Sequence, residues 1–140
     1  MSVTSVYPVL MSDDVAAAAR FYREVLGFES TFEADWYVSL RLGECELAIL
    51  QGDHPTVPAG FGAPVRGLIL NIEVEDVHPL HHALTVEHGL TPVLALRDED
   101  FGQRHFIVEA PGGVLVDVIQ PIPPTAQFEQ AYAQEALPTG

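Results

Sequence analysis

The chain contains no lysine, and its six basic side chains, all arginines, are set against twenty aspartates and glutamates. The formal net charge is −14 at neutral pH. A surface this negative repels nucleic-acid phosphates and anionic lipid head groups, so we expect no nucleic-acid partner and no membrane partner. Charged residues nevertheless make up only 19% of the chain and hydrophobic residues 48%, which is typical of a folded protein and not of a disordered acidic tail.

Cysteine is nearly absent as well. The single Cys45 excludes an intramolecular disulfide, and it excludes zinc sites built from paired cysteines. No apolar run approaches the ~20 residues that cross a bilayer. The first residues lack the basic segment and the apolar stretch of a signal peptide. We therefore expect a cytoplasmic protein.

The first half of the chain predicts one helix among strands. Asp14 is placed to cap a helix that ends at Gly27, and the apolar residues between them recur at helical spacing. Alternating polar and apolar residues then predict strands. Residues 52–66 are rich in glycine and proline and are predicted to form a linker. The most clearly patterned strands of this half are residues 5–11, 36–42 and 45–51.

The same order recurs after the linker. Asp76 and Gly89 repeat Asp14 and Gly27 at one offset, since 76 − 14 and 89 − 27 both equal 62. Between Asp76 and Gly89 we predict a second helix. The predicted strands of this half are residues 67–74, 92–100, 102–110 and 114–121.

These elements predict an α+β fold made of two tandem β-α-β-β-β modules. We place both modules, residues 5–51 and 67–120, in a single domain over residues 1–121. The remaining tail, residues 122–140, contains AQFEQAYAQEAL, which favours a short helix of about three turns.

Two segments resemble the vicinal oxygen chelate superfamily, which includes glyoxalase I, extradiol dioxygenases and bleomycin-resistance proteins. DDVAAAARFYREVLGF is similar to the family's Asp, Phe-Tyr and Leu-Gly-Phe segment. FGQRHFIVEAPGGVLVDVIQP is similar to its Gly-x-Arg hairpin, with Ala110 replacing the usual acidic residue of the turn. The resemblance covers residues 5–121. It implies strands that curl into an incomplete barrel with the helices outside, and it implies a homodimer.

In metal-dependent members of that family, histidine or glutamate side chains from equivalent strands hold a divalent cation. The matching positions here are Tyr7, Leu47, Ile69 and Asp117. One carboxylate and one phenol replace little of the water shell of a divalent ion, so we expect no metal cofactor. A metal-dependent lyase, isomerase or dioxygenase remains the alternative, with Asp117 and Tyr7 as ligands beside a donor not identified in the sequence.

Without a metal, the candidate site is an apolar cavity with a few polar anchors. If Asp117 faces inward, strand alternation places Val116 and Val118 against the helices. Pairing across the Pro-Gly-Gly turn would then set Arg104 and Phe106 beside Asp117, and a shift of one residue would reverse these faces. Arg104 and Asp117 would form either a structural ion pair or a ligand anchor, with His105 packed on the outer face.

The first module adds an aromatic wall, because either Trp36 or Tyr37 must point inward. We predict a metal-independent protein that binds a small aromatic or cationic ligand, such as an antibiotic, as in the bleomycin-resistance branch. The acidic charge favours a cationic guest. The predicted ligand-binding residues are Tyr7, Trp36, Tyr37, Arg41, Asn71, Arg104, Phe106 and Asp117.

Overall fold

The structure, a computed structural model, describes residues 1–138. Its elements follow the order β-α-β-β-β twice, and each set of strands forms an open four-stranded sheet. The predicted α+β fold of two tandem modules is therefore confirmed. The chain divides into two compact units, one of residues 1–68 with 110–114 and one of residues 69–109 with the chain from Leu115 onward.

The first module has the strand order β1-β4-β3-β2, with β1 parallel to β4 and the other pairs antiparallel. A parallel pair needs a long connection, and the helix with the hairpin after it supplies one. The elements are β1 (Val9–Ser12), α1 (Val15–Glu24), β2 (Glu29–Ala34), β3 (Tyr37–Leu42) and β4 (Cys45–Gln51).

Helix α1 begins where the sequence predicts. The Asp14 carboxylate accepts a hydrogen bond of 3.0 Å from the backbone N–H of Ala17, which satisfies one of the free donors of the first turn. The buried side of the helix packs on β3 and β4. That side consists of Val15, Ala18, Ala19, Phe21 and Tyr22.

The second module repeats this topology, with the strand order β5-β8-β7-β6 and β5 parallel to β8. Its predicted helix has two parts, because the last turn is a π-helix over Ala83–Glu87, in which the His88 N–H donates to the Ala83 carbonyl at 3.0 Å. The elements are β5 (Ile69–Glu73), α2 (Val77–His82), β6 (Leu94–Glu99), β7 (Gln103–Glu109) and β8 (Leu115–Pro121).

The tail is less helical than the sequence predicts. Of the segment expected to form a helix of about three turns, only α3 (Ala126–Glu129) is α-helical, and Gln134–Ala136 forms a single 3₁₀ turn. The tail instead folds back on the turn between β6 and β7. The Thr125 N–H donates to the Asp100 carbonyl at 2.9 Å, and the Tyr132 hydroxyl donates to the Phe101 carbonyl.

Each sheet has one face covered by its own helix and one face turned away from it, which we call the open face. In the first module the helix-facing residues are Leu10, Val38, Leu40, Leu47 and Ile49, all buried. In the second they are Phe106, Val108, Val116 and Val118, each no more than 1% exposed. Directly paired residues share a face, so the partners of these residues follow from the register.

The outermost strands of both sheets are irregular. The pairing of β2 with β3 shifts between Ser30 and Phe32, and the pairing of β6 with β7 shifts between Leu94 and Arg97. These shifts lie at corresponding places in the two modules. None of the helices formed by the described residues has the length and apolar character that crossing a bilayer requires.

Candidate functional site

A chain of four charged side chains lies on the open face of the second module. His105 on β7 approaches Asp117 on β8, with Nδ1 2.8 Å from Oδ1, and its Nε2 lies 2.7 Å from Oε2 of Glu99 on β6. Arg97 donates from Nε to the same Glu99 oxygen at 2.8 Å. His105 and Asp117 are only 5% and 7% exposed, so this network is shielded from water at its centre.

The geometry fixes the charge of His105. An ionised carboxylate can only accept hydrogen bonds, so an imidazole held between two carboxylates must donate from both nitrogens and be protonated. Burial acts first and opposes this charge, but the hydrogen bonds to Glu99 and Asp117 and the charges of both outweigh it, so the pKa of His105 is raised. The hydrogen bond from His105, followed by that from Arg97, lowers the pKa of Glu99.

The predicted face of Arg104 and Phe106 is wrong. The register pairs Phe106 with Val118 and Ile107 with Asp117, so Arg104 and Phe106 lie on the helix-facing side. Phe106 is 0% exposed and packs edge-to-face on His81, with ring centroids 4.8 Å apart. The structure therefore removes both residues from the neighbourhood of the Asp117 side chain.

Arg104 has a partner of its own on that side. It binds Asp98 through two hydrogen bonds of 2.7 and 3.0 Å, and this contact lowers the pKa of Asp98. His105, which was expected on the outer face, is the residue that contacts Asp117.

The positions that correspond to metal ligands carry too few donors. These positions are Tyr7 and Leu47 in the first module and Ile69 and Asp117 in the second. The register shows that the residue of the first module equivalent to Asp117 is Ala48, because Ala48 pairs with Val9 as Asp117 pairs with Asn71. The predicted counterpart of Asp117, Leu47, is wrong, because Leu47 faces the helix opposite Leu40. The first module thus offers a divalent ion one phenol and one methyl group, and the second offers one carboxylate and one aliphatic side chain.

His105, which contacts Asp117, does not add a metal donor to these positions. Both of its nitrogens already donate to carboxylates, and a protonated imidazole has no lone pair for a metal. Within residues 1–138, no group of three or more histidine, cysteine, aspartate or glutamate side chains is arranged to hold a metal ion. The residues present therefore do not fit the divalent cation that the family resemblance implies.

The open face of the first module is aromatic. Tyr37 lies on it opposite Leu50 and Ala34, and Phe32 packs edge-to-face on Tyr37 with centroids 6.1 Å apart. Phe32 is 52% exposed and Tyr7 is 45% exposed, which is unusual for side chains of this size. Burial is the main cause that raises the pKa of Tyr37, and the adjacent Tyr7 hydroxyl also raises it.

Arg41 lies at the other end of this face, between two acids. It pairs across the sheet with Glu29 on β2 and Glu46 on β4, and its guanidinium is 4.0 Å from the Glu29 carboxylate. Two glutamates against one arginine leave this end of the face negative. A cleft of about 90 Å³ opens beside it, lined by Tyr7, Thr31, Ser39, Leu40, Glu46 and Leu47.

Trp36 lies in the two-residue turn between β2 and β3, next to Tyr37, with ring centroids 5.6 Å apart. Its indole stacks on His54 from the loop after β4, with centroids 4.0 Å apart and planes inclined by 12°. Asn71 is exposed on the open face of the second module. The predicted site residues thus fall into separate groups, with Tyr7, Trp36, Tyr37 and Arg41 in the first module and Asn71 and Asp117 in the second.

In the first module, two larger hollows lie away from the open face. One of about 540 Å³ separates α1 from the β2–β3 hairpin and contains the Arg23–Glu33 ion pair at 3.2 Å. The other, of about 340 Å³, lies within the loop after β4 and includes His54 in its wall. Of these two hollows, only the second has an aromatic ring in its wall, that of His54, which stacks on Trp36.

The family is decided by comparison of the sequence with family models. The model of the Glyoxalase/Bleomycin resistance protein/Dioxygenase superfamily matches residues 4–118. The chain belongs to this superfamily. The name of the superfamily covers both binding proteins and enzymes. Whether a member binds or catalyses must therefore be argued from its site residues. No match to the chain was found among curated proteins.

Solved structures of the same fold extend over most of the chain. A lactoylglutathione lyase from Agrobacterium tumefaciens is 18% identical, with a TM-score of 0.68 over 86% of this chain and 96% of that one. A glyoxalase/bleomycin resistance protein/dioxygenase from Nocardioides is 16% identical, with a TM-score of 0.69 over 87% and 86%. A possible glyoxalase from Bacillus cereus is 20% identical, with a TM-score of 0.61 over 84% and 99%. These likenesses show the glyoxalase fold.

Sequence reasoning missed four residues that the structure brings into these groups. Glu99 and Arg97 are separated by one residue on β6, a spacing that puts both on one face of a strand. That signal was present, but only the register of β7 against β8 shows that His105 completes the group. His54 lies in a loop without periodicity, so no pattern connects it with Trp36.

Proposed function

We propose that this protein binds a small aromatic or cationic organic molecule, such as an antibiotic, without a metal ion. The ligand would lie on the open face of the first module. The proposal is supported by a contrast on the open faces between the positions expected to hold a metal and the aromatic residues. The positions that correspond to metal ligands, Tyr7, Ala48, Ile69 and Asp117, contain a single carboxylate, whereas aromatic rings lie exposed on the open face of the first module.

The chemistry of this face suits a flat cation. Phenyl and phenol faces attract cations, with ~0.5–1 kcal/mol for each exposed pair. The glutamates on either side of Arg41 add negative charge to the same face. Ligand pockets usually measure about 300–1,000 Å³, so the cleft of about 90 Å³ would admit a single substituent while the ring system lay on the aromatic surface.

Calorimetric titration with a matched pair of aromatic probes tests this proposal. We expect proflavine, a planar cation, to bind and 1-naphthoate, a planar anion, to bind far more weakly. The double variant Phe32→Leu/Tyr37→Leu should lose about tenfold in affinity for proflavine, because two cation–π contacts are removed while the apolar surface is kept. Phe101→Leu is the matched control, since Phe101 is an exposed ring of the second module. Equal affinities for the two probes, or an unchanged double variant, would contradict the proposal.

The metal-dependent alternative is tested in the same preparation. Titration with Zn²⁺, Ni²⁺ and Mn²⁺ should show no stoichiometric binding that depends on Asp117, and the protein should not form S-lactoylglutathione in the presence of these ions. One bound ion per chain, lost in Asp117→Asn and accompanied by lyase activity, would replace the binding proposal with an enzymatic one.

A further inference from the structure

The stack of His54 on Trp36 resembles a protein–ligand contact made within one chain. Trp36 is the only tryptophan, and one face of its indole is covered by the imidazole at 4.0 Å and 12°. A centroid separation this short with nearly parallel planes is ring-on-ring stacking, which any planar heteroaromatic molecule could make in place of the imidazole. Trp36 remains 39% exposed, so the stack lies at the surface.

The loop after β4 starts beside Trp36, which explains how His54 reaches it. The Gln51 N–H donates to the Trp36 carbonyl at 2.8 Å, and the His54 N–H donates back to the Gln51 carbonyl at 3.0 Å. The Thr56 N–H donates to His54 Nδ1 at 3.3 Å, and the Thr56 hydroxyl lies 2.8 Å from that nitrogen. These local contacts orient the ring, and the two contacts of Thr56 with the imidazole lie within the loop.

The loop is closed at its base, and above the base its backbone hydrogen bonds are made within the loop itself. Residues 52–62 form an Ω-shaped loop whose ends meet, since a Cβ added at Gly62 would collide with the Gly52 carbonyl oxygen. Above this closure, the Val57 and Phe61 N–H groups donate to carbonyls three residues earlier in the loop. His54 also borders the hollow of about 340 Å³, which gives the imidazole a space to enter when it leaves Trp36.

We infer that the indole face of Trp36 is a subsite for a planar ring of the ligand, and that His54 occupies this subsite in the ligand-free protein. The loop of residues 52–62 then acts as a lid whose imidazole the ligand displaces. This inference rests on the proposed function, because it names one subsite for the same aromatic or cationic ligand. It adds the Trp36 face to two open-face residues, Tyr37, whose ring lies next to the indole, and Phe32, whose ring packs on Tyr37.

Competition between His54 and the ligand has a measurable consequence. A ligand that must first break the stack binds more weakly than one that finds the indole free. His54→Ala should therefore bind proflavine about fivefold more tightly than the unchanged protein, as expected for the removal of one competing aromatic pair. His54→Phe, which keeps a ring in the loop, should retain the original affinity. His88→Ala, which alters an exposed histidine of the second module, should also retain it.

The stack itself has an independent readout. Because Trp36 is the only tryptophan, its emission and its quenching by acrylamide report on that indole alone. We expect His54→Ala to raise the acrylamide quenching constant in the ligand-free state, and His88→Ala to leave it unchanged. An unaltered quenching constant in His54→Ala would show that the imidazole does not cover Trp36 and would overturn the inference.

The two proposals fail in different ways. If His54→Ala binds proflavine no better than the unchanged protein, while Phe32→Leu/Tyr37→Leu loses affinity, the lid inference is wrong and the proposed function stands. If proflavine binds neither the unchanged protein nor His54→Ala, both the proposed function and the Trp36 subsite are wrong. Binding that appears only in His54→Ala would support the lid most directly.

Discussion

At the scale of single residues, His105 has the most demanding surroundings. Its imidazolium lies between two carboxylates and is almost fully buried, so the charge is tolerated only because both N–H groups have acceptors. Arg97 supplies a second positive charge against the two negative ones. The network is thus neutral when His105 is protonated, and it becomes a buried net negative charge when the proton leaves.

The raised pKa of His105 predicts a pH-dependent contribution to stability. A group whose folded pKa is raised stabilises the fold fully below its unfolded pKa, about 6.5 for histidine, and this contribution is lost as the pH rises through the folded value. We expect His105→Gln to lower the free energy of unfolding by ~1–3 kcal/mol at pH 5.5. The deficit should shrink at pH 9.

Urea unfolding at the two pH values measures this difference. His88→Gln serves as the control, because His88 is exposed and lies outside the network. A deficit for His105→Gln that stays constant, or that grows toward pH 9, would show that His105 is neutral in the folded protein.

At the scale of elements, the sequence was sufficient to predict the order of helices and strands. The caps at Asp14 and Asp76 and the glycines at 27 and 89 mark the same boundaries in both modules, and α1 and α2 begin directly after these aspartates. Such signals are local, so they can be interpreted without knowing what packs where. The C-terminal segment lacked them, and of its predicted short helix of about three turns only Ala126–Glu129 is α-helical.

The face of β7 could not be predicted in the same way. Alternation separates Arg104 and Phe106 from His105, but it does not state which set faces the helix. The choice depends on the register with β8, where Glu109 pairs with Leu115 across the connection between them. A shift of one position reverses every side chain of the strand, and the candidate site of the second module changed accordingly.

The C-terminal tail forms a clasp on the turn between β6 and β7. Gly102 in that turn has φ of +112°, and a Cβ there would lie 2.9 Å from the Tyr132 hydroxyl and 3.0 Å from the Ile122 carbonyl. Phe101 and Phe128 add an edge-to-face pair with centroids 6.2 Å apart. The turn follows Glu99 directly, so the clasp steadies one end of the charged network.

Substitution of Gly102 should therefore cost more than backbone strain alone. We expect Gly102→Ala to destabilise the protein by ~2–3 kcal/mol, against ~1 kcal/mol for Gly112→Ala, which also has positive φ but has no atom within 4 Å of the added Cβ. Thermal and urea unfolding provide the comparison. If the clasp causes the extra loss, a chain ending at Pro121, which lacks Ile122 as well as Tyr132, should show equal effects for both substitutions. A difference that persists in the shortened chain would place its cause elsewhere.

At the scale of the whole molecule, the net charge of −14 sets the long-range interactions with ligands. Such a charge attracts cations from beyond contact distance, and dissolved salt screens it within about 10 Å at 0.1 M. The local contacts that we propose for recognition, stacking and cation–π, are less sensitive to salt. Charge and aromatic surface thus make separable contributions to binding.

Ionic strength should therefore change association more than dissociation. Raising the salt concentration from 0.01 to 0.5 M should slow the association of proflavine by about tenfold or more, because electrostatic steering is screened, with a smaller change in the dissociation rate. Stopped-flow measurement of proflavine fluorescence separates the two rates. 1-Naphthoate is the control, and any association that it shows should become faster with added salt. A proflavine association rate independent of salt would contradict this role of the charge.

The irregular outer strands β2 and β6 have a consequence for how copies of the chain meet. An open sheet leaves unpaired backbone groups along its edges, and a regular edge strand is a template for a strand of another molecule. The register shifts at Ser30/Phe32 and Leu94/Arg97 interrupt that template in both modules. Both modules carry this interruption, and it disfavours growth of either sheet by strand addition from a neighbouring chain at its outer edge.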